Sequence, residues 1–223
     1  MFDADPLDGV WFPLTLMIPQ LAQFGFVWWT VRTRGAGLSF DLGFAFRPRD
    51  LGIGLLLFGS ALVAAGLVAL AMTLVGFELP TAAVAELTED IAAGDEASHG
   101  SESGGPSTPD DDLASESVGA GITVWIVVVA ILASTAVPVI EEVGYRGLWF
   151  GAVTKRGHGE WWAITVSSAV FAVAHLEPAR TPIIFVLGFV LGWGRRLTNR
   201  IGASIVAHAL INGTAFAALL GSL

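Results

Sequence analysis

The sequence predicts an all-α protein, a polytopic bundle of about six membrane-crossing helices. Apolar residues make up 54% of the 223 residues and charged residues only 14%, against about 25% charged in soluble domains. Mean hydropathy is +0.69. The apolar residues also gather into six runs that reach or approach the roughly 20 residues a helix needs to cross a bilayer. The same figures exclude other classes. A disordered chain or a coiled coil carries more charge. A nucleic-acid partner does not suit a net charge of −9 with 11 Lys and Arg. With no Cys, neither a disulfide framework nor a thiolate metal site is available.

The runs are residues 10–31, 51–77, 118–140, 161–176, 181–194 and 201–223. The two near 15 residues are short, which predicts tilt, extension or packing inside the bundle. Residues 147–153 are too few to span and are expected to continue the preceding helix or dip back. Asp3, Asp5 and Asp8 stand where a secretory signal carries bases, so the first run reads as a retained helix. Residues 1–77 form an N-terminal two-helix region, 78–117 an acidic linker and 118–223 a C-terminal bundle. Within the linker, 94–117 is rich in Gly, Ser and Pro and reads as a flexible loop. His99 in that loop has no partner in sequence.

Charge sets the expected orientation. Arg32, Arg34, Arg47 and Arg49 follow the first run; Arg146, Lys155 and Arg156 follow the third; Arg195, Arg196 and Arg200 precede the sixth. Eleven acids and no base lie between Glu78 and Val118. Six crossings with the N-terminus outside put ten of the eleven bases on the cytoplasmic side, leaving only Arg180 outside, as the positive-inside rule asks. The expected location is the cell membrane, with the acidic loop outside and the basic loops cytoplasmic. Trp11, Trp28, Trp29, Trp161, Trp162 and Trp193 fall near span ends, as interfacial aromatics do. Gly147/Gly151 and Gly188/Gly192 have the spacing that lets helices approach closely.

Ionisable groups inside apolar helices are expensive unless paired or hydrated, so each is a functional candidate. Here they are Glu141, Glu142, Arg146, His175 and His208, joined by the amide Asn212. Glu142 and Arg146 are i and i+4 and share a helix face, which fits a structural ion pair. Glu141 projects about 100° away from Glu142 and can face a cavity. His208 and Asn212 share a face, as do Phe171 and His175. One polar residue can serve packing. A carboxylate, two histidines and an amide on three apolar helices point to chemistry. Other intramembrane chemistries lack their parts: no H-E-x-x-H zinc motif, no second membrane Asp for an aspartyl dyad and no Gly-x-Ser-x-Gly elbow. Ser167, Ser168 and Ser204 read as small packing residues.

Glu141-Glu142-Val-Gly-Tyr145-Arg146, Phe171-Ala-Val-Ala-His175 and His208-Ala-Leu-Ile-Asn212 resemble, in order, the E-E-x-x-x-R, F-x-x-x-H and H-x-x-x-N motifs of the CPBP intramembrane proteases. These are the type II CAAX prenyl endopeptidases and the bacteriocin-processing, Abi-like proteins. The resemblance covers about residues 118–223; Tyr145 stands where the first motif often has Phe. It implies an endopeptidase in which Glu141 is the general base activating water and His175 helps bind that water. It further implies that His208 and Asn212 stabilise the oxyanion, while Glu142 and Arg146 hold the Glu141 helix. The implied partners are membrane lipid and a peptide or lipidated protein substrate, with no nucleic acid. No cofactor is implied, with zinc on Glu141, His175 and His208 as the alternative. A carboxylate withdrawn from water binds a proton more tightly and so becomes a competent base near neutral pH. Two other functions stay open at this point: a non-catalytic membrane scaffold or immunity-type protein, and a proton-coupled transporter.

One expectation concerns depth. At about 1.5 Å per residue, a span ending near residue 140 puts Glu141 close to the cytoplasmic face, with His175 much deeper. Pro138 removes a backbone hydrogen bond, so a broken or re-entrant segment after it is expected to bring Glu141, His175, His208 and Asn212 to one cytoplasm-facing cavity. Separation of Glu141 from both histidines by more than about 12 Å is incompatible with that chemistry.

Overall fold

The computed structural model describes residues 8–77 and 127–220, with side chains from 17 to 77 and 127 to 218. The acidic loop with His99, and the first residues of the third expected span, lie outside the described residues. Among those described there is no strand. The helices are α1 (Asp8–Arg34), α2 (Leu38–Leu42), α3 (Arg49–Leu74), α4 (Val127–Lys155), α5 (Glu160–Ala174), α6 (Thr181–Thr198) and α7 (Gly202–Leu220). Residues Val143–Trp149 of α4 form a π-helical stretch.

This is an integral membrane protein. Helices α3 and α4 are each long and apolar enough to cross a bilayer. Leu55, Leu56, Val63, Leu67, Leu70 and Leu74 of α3 point outward, an arrangement that suits lipid and not water. Trp28, Trp29, Trp161, Trp162 and Trp193 are also exposed, as an interfacial belt requires. The short α5 packs inside the bundle, burying Ala163, Ile164, Ser167, Ser168 and Phe171. Its partner is α6, whose Gly188 and Gly192 sit against Phe171 and Ile164. Helix α3 packs along α6 and α7, with Leu57, Ala61, Leu191, Ala203 and Ala207 as the shared core. The buried serines do serve packing: Ser167 and Ser168 donate to the Ile164 carbonyl at 3.1 and 2.7 Å, and Ser204 to that of Leu191 at 2.8 Å.

The break expected after Pro138 is not there. Helix α4 runs unbroken through Pro138, whose ring is fully buried. Proline removes only one backbone bond, and membrane helices tolerate it where neighbours pack around the ring. Ala133 and Val137 beside it are buried too. The irregularity falls five residues later, as the π stretch. Residues 147–153 therefore continue α4 and do not dip back.

This continuity changes the depth of the site. Glu141 is not at a helix end; it lies fourteen residues from each described end of α4, about 20 Å from either. Helix α5 then runs back beside α4, and fifteen residues beyond Glu160 it brings His175 to a matching depth. His208 is only six residues into α7, yet α7 starts below the surface. Ile201 and Ala203 are fully buried, and the Ile201 N–H donates to the Gly43 carbonyl at 3.0 Å. The segment after α2 thus lids the turn between α6 and α7. Arg200 closes it, donating to Asp50 at 2.6 Å from a nearly buried position.

Candidate active site

The first motif lies where α4 passes into its π stretch. Such stretches are rare and occur often at functional sites. Glu142 and Arg146 face inward and are fully buried. Arg146 Nη1 donates to Glu142 Oε1 at 2.8 Å and Nη2 to the Gly188 carbonyl at 3.0 Å. A side chain at 188 would crowd that guanidinium and the Phe171 ring, so a residue without Cβ is what lets the arginine reach the backbone of α6. The guanidinium carbon also stands 4.4 Å from the Phe171 ring centre. These contacts tie α4, α5 and α6 together through one cation. Arg195 adds to the tie, donating to the Arg146 carbonyl at 3.2 Å.

His208 of α7 sits between the two carboxylates. Its Nδ1 is 2.9 Å from Glu142 Oε1 and its Nε2 is 3.5 Å from Glu141 Oε2. The requirement that Glu141 lie near a histidine is met. Phe171 buttresses both histidine rings edge-on, at 4.5 Å from His175 and 5.6 Å from His208. Tyr145, in place of the expected phenylalanine, packs edge-on against Phe171 at 5.1 Å. His175 follows the last residue of α5, with Nδ1 2.8 Å from the Phe171 carbonyl. A carbonyl can only accept, so that nitrogen carries the proton, and Nε2 is the ring nitrogen left for another partner. Asn212 donates one Nδ2 hydrogen to the Ala133 carbonyl at 2.9 Å, which fixes its amide and leaves a second hydrogen.

His175, His208, Asn212 and Phe171 line one cavity of about 70 Å³, closed by Ile184, Leu187, Leu191 and Ile211. That is room for about two waters, each occupying about 30 Å³ of liquid. Glu141 does not line it but reaches His208, which does. The structure thus brings all four expected residues to one place, with Glu142, Arg146 and Phe171 as the frame.

The alternative zinc set fits less well. Among the described residues, no group of three His, Asp or Glu side chains is placed to hold a metal ion.

Two functional groups, one at the site and one at the turn that positions α7, are absent from the expected residues. Gln20 of α1 donates from Nε2 to Glu141 Oε1 at 3.1 Å. Asp50, which clamps the turn before α7, is fully buried. Asp50 lay hidden among the loop charges at a span boundary. Gln20 had a visible signal, an amide within an apolar run, but an uncharged one.

Fold and site together describe a membrane-embedded helix bundle with a polar, hydratable centre. Residues 123–214 match the family model "Rce1-like: Type II CAAX prenyl endopeptidase Rce1-like", a span holding all three motifs. Over 82 residues the chain is 28% identical to a Bacillus subtilis (strain 168) protein named "Putative membrane peptidase YdiL", covering 37% of this chain and 33% of that one. The chain thus matches about a third of that relative's length. No solved structure matches it. The matched span and the relative's name agree with the three motifs in likening this part of the chain to the CPBP intramembrane proteases.

Proposed function

We propose that this protein is an intramembrane endopeptidase that hydrolyses a peptide bond of a membrane-associated substrate, prenylated or otherwise lipidated, with water activated by Glu141. One observation carries the reading: Glu141 Oε2 lies 3.5 Å from His208 Nε2, beside a small cavity that also holds His175 and Asn212. A carboxylate in contact with an imidazole, beside a water-sized cavity inside an apolar bundle, suits general-base hydrolysis.

The residues divide the work as follows. Water binds between Glu141 Oε2 and His175 Nε2. As its oxygen bonds to the scissile carbonyl carbon, its proton passes to Glu141. The carbonyl oxygen becomes an oxyanion, which takes hydrogen bonds from His208 Nε2–H and the free Asn212 Nδ2–H. His208 Nδ1 is engaged by Glu142, which leaves Nε2 as the ring nitrogen turned to the developing negative charge. Collapse breaks the C–N bond, and Glu141 returns its proton to the leaving nitrogen. Glu142 and Arg146 orient His208 and hold α4 against α6. The reaction is metal-free, and the basic end of the bundle faces the cytoplasm, with the N-terminus outside.

The test is cleavage of an internally quenched, farnesylated CAAX peptide by the full chain in proteoliposomes, with Glu141→Gln as the comparison. The expected result is cleavage by the wild type and a fall of at least about a hundredfold in the variant, as for loss of a general base. Equal cleavage by Glu141→Gln overturns the base assignment. No cleavage by wild type, of this peptide or a panel of unlipidated membrane peptides, favours a scaffold.

A further inference from the structure

The N-terminal helix lies outside the residues matched by the family model, yet it reaches the reacting carboxylate. Helices α1 and α4 run side by side in the same direction and in constant register. Gln20 meets Glu141, 121 residues on, and Gln23 lies against Gly144. Thr30 and Arg34 share a cleft with Gly151 and Lys155. A side chain at 144 would collide with the Gln23 amide, so the glycine allows this close approach. Helix α1 therefore packs on the π stretch of α4, beside the carboxylate proposed as the base.

Glu141 has two oxygens and one reaction to perform. Gln20 Nε2 donates to Oε1 at 3.1 Å, while Oε2 faces His208 Nε2 at 3.5 Å. Resting on the proposed hydrolytic role of Glu141, we infer that Gln20 is a positioning residue. It occupies Oε1, stops the carboxylate rotating, and so reserves Oε2 as the oxygen that takes the proton from water. An amide suits a group that changes protonation state: with the proton on Oε2, Oε1 still accepts from Gln20 Nε2, and the amide adds no charge of its own. Gln20 Oε1 is buried and takes no hydrogen bond among the described residues. Lys or Arg at position 20 would instead put a fixed positive charge beside the base, favouring its ionised form and opposing proton uptake.

The experiment measures kcat and KM for Gln20→Met, which keeps length and removes the donor, on the farnesylated peptide. Gln23→Met and Glu141→Gln are run in parallel. A base free to rotate spends less time aligned, so kcat is expected to fall about tenfold, equivalent to about 1.4 kcal/mol of barrier. KM should stay within about twofold, since the substrate is not touched. Gln23→Met, one turn on and against Gly144, should keep wild-type kcat, and Gln20→Asn, a donor one methylene short, should lie between. If Gln20→Met does not fold, Gln20→Asn carries the same required split of kcat from KM. Unchanged kcat in Gln20→Met, or an equal fall in Gln23→Met, overturns the inference while an inactive Glu141→Gln leaves the hydrolytic reading standing. An active Glu141→Gln removes both.

Discussion

Replacing Arg146 by methionine should be among the most damaging single changes in the bundle, and the structure says why. The guanidinium is fully buried, and its contacts are the Glu142 carboxylate, the Gly188 carbonyl and the Phe171 ring. Methionine fills much of the volume but leaves Glu142 as a buried anion facing only His208. Breaking a buried pair this way costs about 3–5 kcal/mol. For a chain of this size that is a fall in Tm of about 6–20 °C. The eight tryptophans allow unfolding in detergent to be followed by intrinsic fluorescence. The second half of the test is the double variant Glu142→Leu/Arg146→Met. Removing both charges removes the uncompensated anion, so at least half of the loss should return, with a coupling energy of about 2 kcal/mol or more. What does not return is the hydrogen bond to His208, about 1 kcal/mol. Single variants within about 1 kcal/mol of wild type, or a double no better than the sum of the singles, would refute the account of Arg146 as the central tie.

Two further outcomes follow from the same geometry. A strong zinc chelator should leave cleavage unchanged, and elemental analysis of the purified protein should find metal well below one equivalent, because no three His, Asp or Glu side chains among the described residues are grouped to hold a metal ion; stoichiometric zinc with chelator-sensitive cleavage would reverse this. At the basic end, Lys155 donates to Asp41 at 2.6 Å, and that hydrogen bond, with those from the Gly37 and Ala36 amides, holds the Asp41 carboxyl below its ordinary value of 3.8 against the opposing effect of burial. A depressed carboxyl stabilises the fold above its unfolded value and loses that contribution as pH falls through the folded one. Thermal scans between pH 7 and 3 should therefore show Asp41→Asn converging on wild type at the acid end, and parallel curves at all pH would count against the tie.

Much of the fold was legible because membrane insertion leaves a coarse mark. The apolar runs predicted α1, α3, α5, α6 and α7 to within a few residues of the observed helices, and the Gly188/Gly192 spacing predicted a close helix approach without naming the partner. The ion pair of Glu142 with Arg146 follows from helical period alone. Other features lie beyond such reasoning. Pro138 reads as a break locally, but whether a helix survives a proline depends on how its neighbours pack around the ring. Residues 147–153 are ambiguous for the same reason: whether they continue α4 or turn back depends on contacts with α2, where Gly147 meets Leu42. The Gln20–Glu141 contact joins residues 121 apart, and no period within either helix shows it.

The continuity of α4 also resolves the depth of the site. If α4 ended near residue 140, Glu141 would sit at the surface and His175 about 20 Å deeper, and no common cavity could form. Because α4 continues to Lys155, α5 must return over an equal length before it reaches His175. Because the segment after α2 covers the start of α7, His208 lies within the bundle although it is early in its helix. Three separate lengths thus bring four polar residues to one level. The π stretch lies immediately beyond Glu142, where it sets the relation of Tyr145 and Arg146 to the Glu pair. Restoring an ordinary α-helical turn there would rotate the residues beyond it about 100° against the Glu pair and take Gly147 off Leu42 of α2. The irregular turn is therefore part of the site, and an inserted or deleted residue within Val143–Trp149 should do more harm than one placed in the turn between α4 and α5.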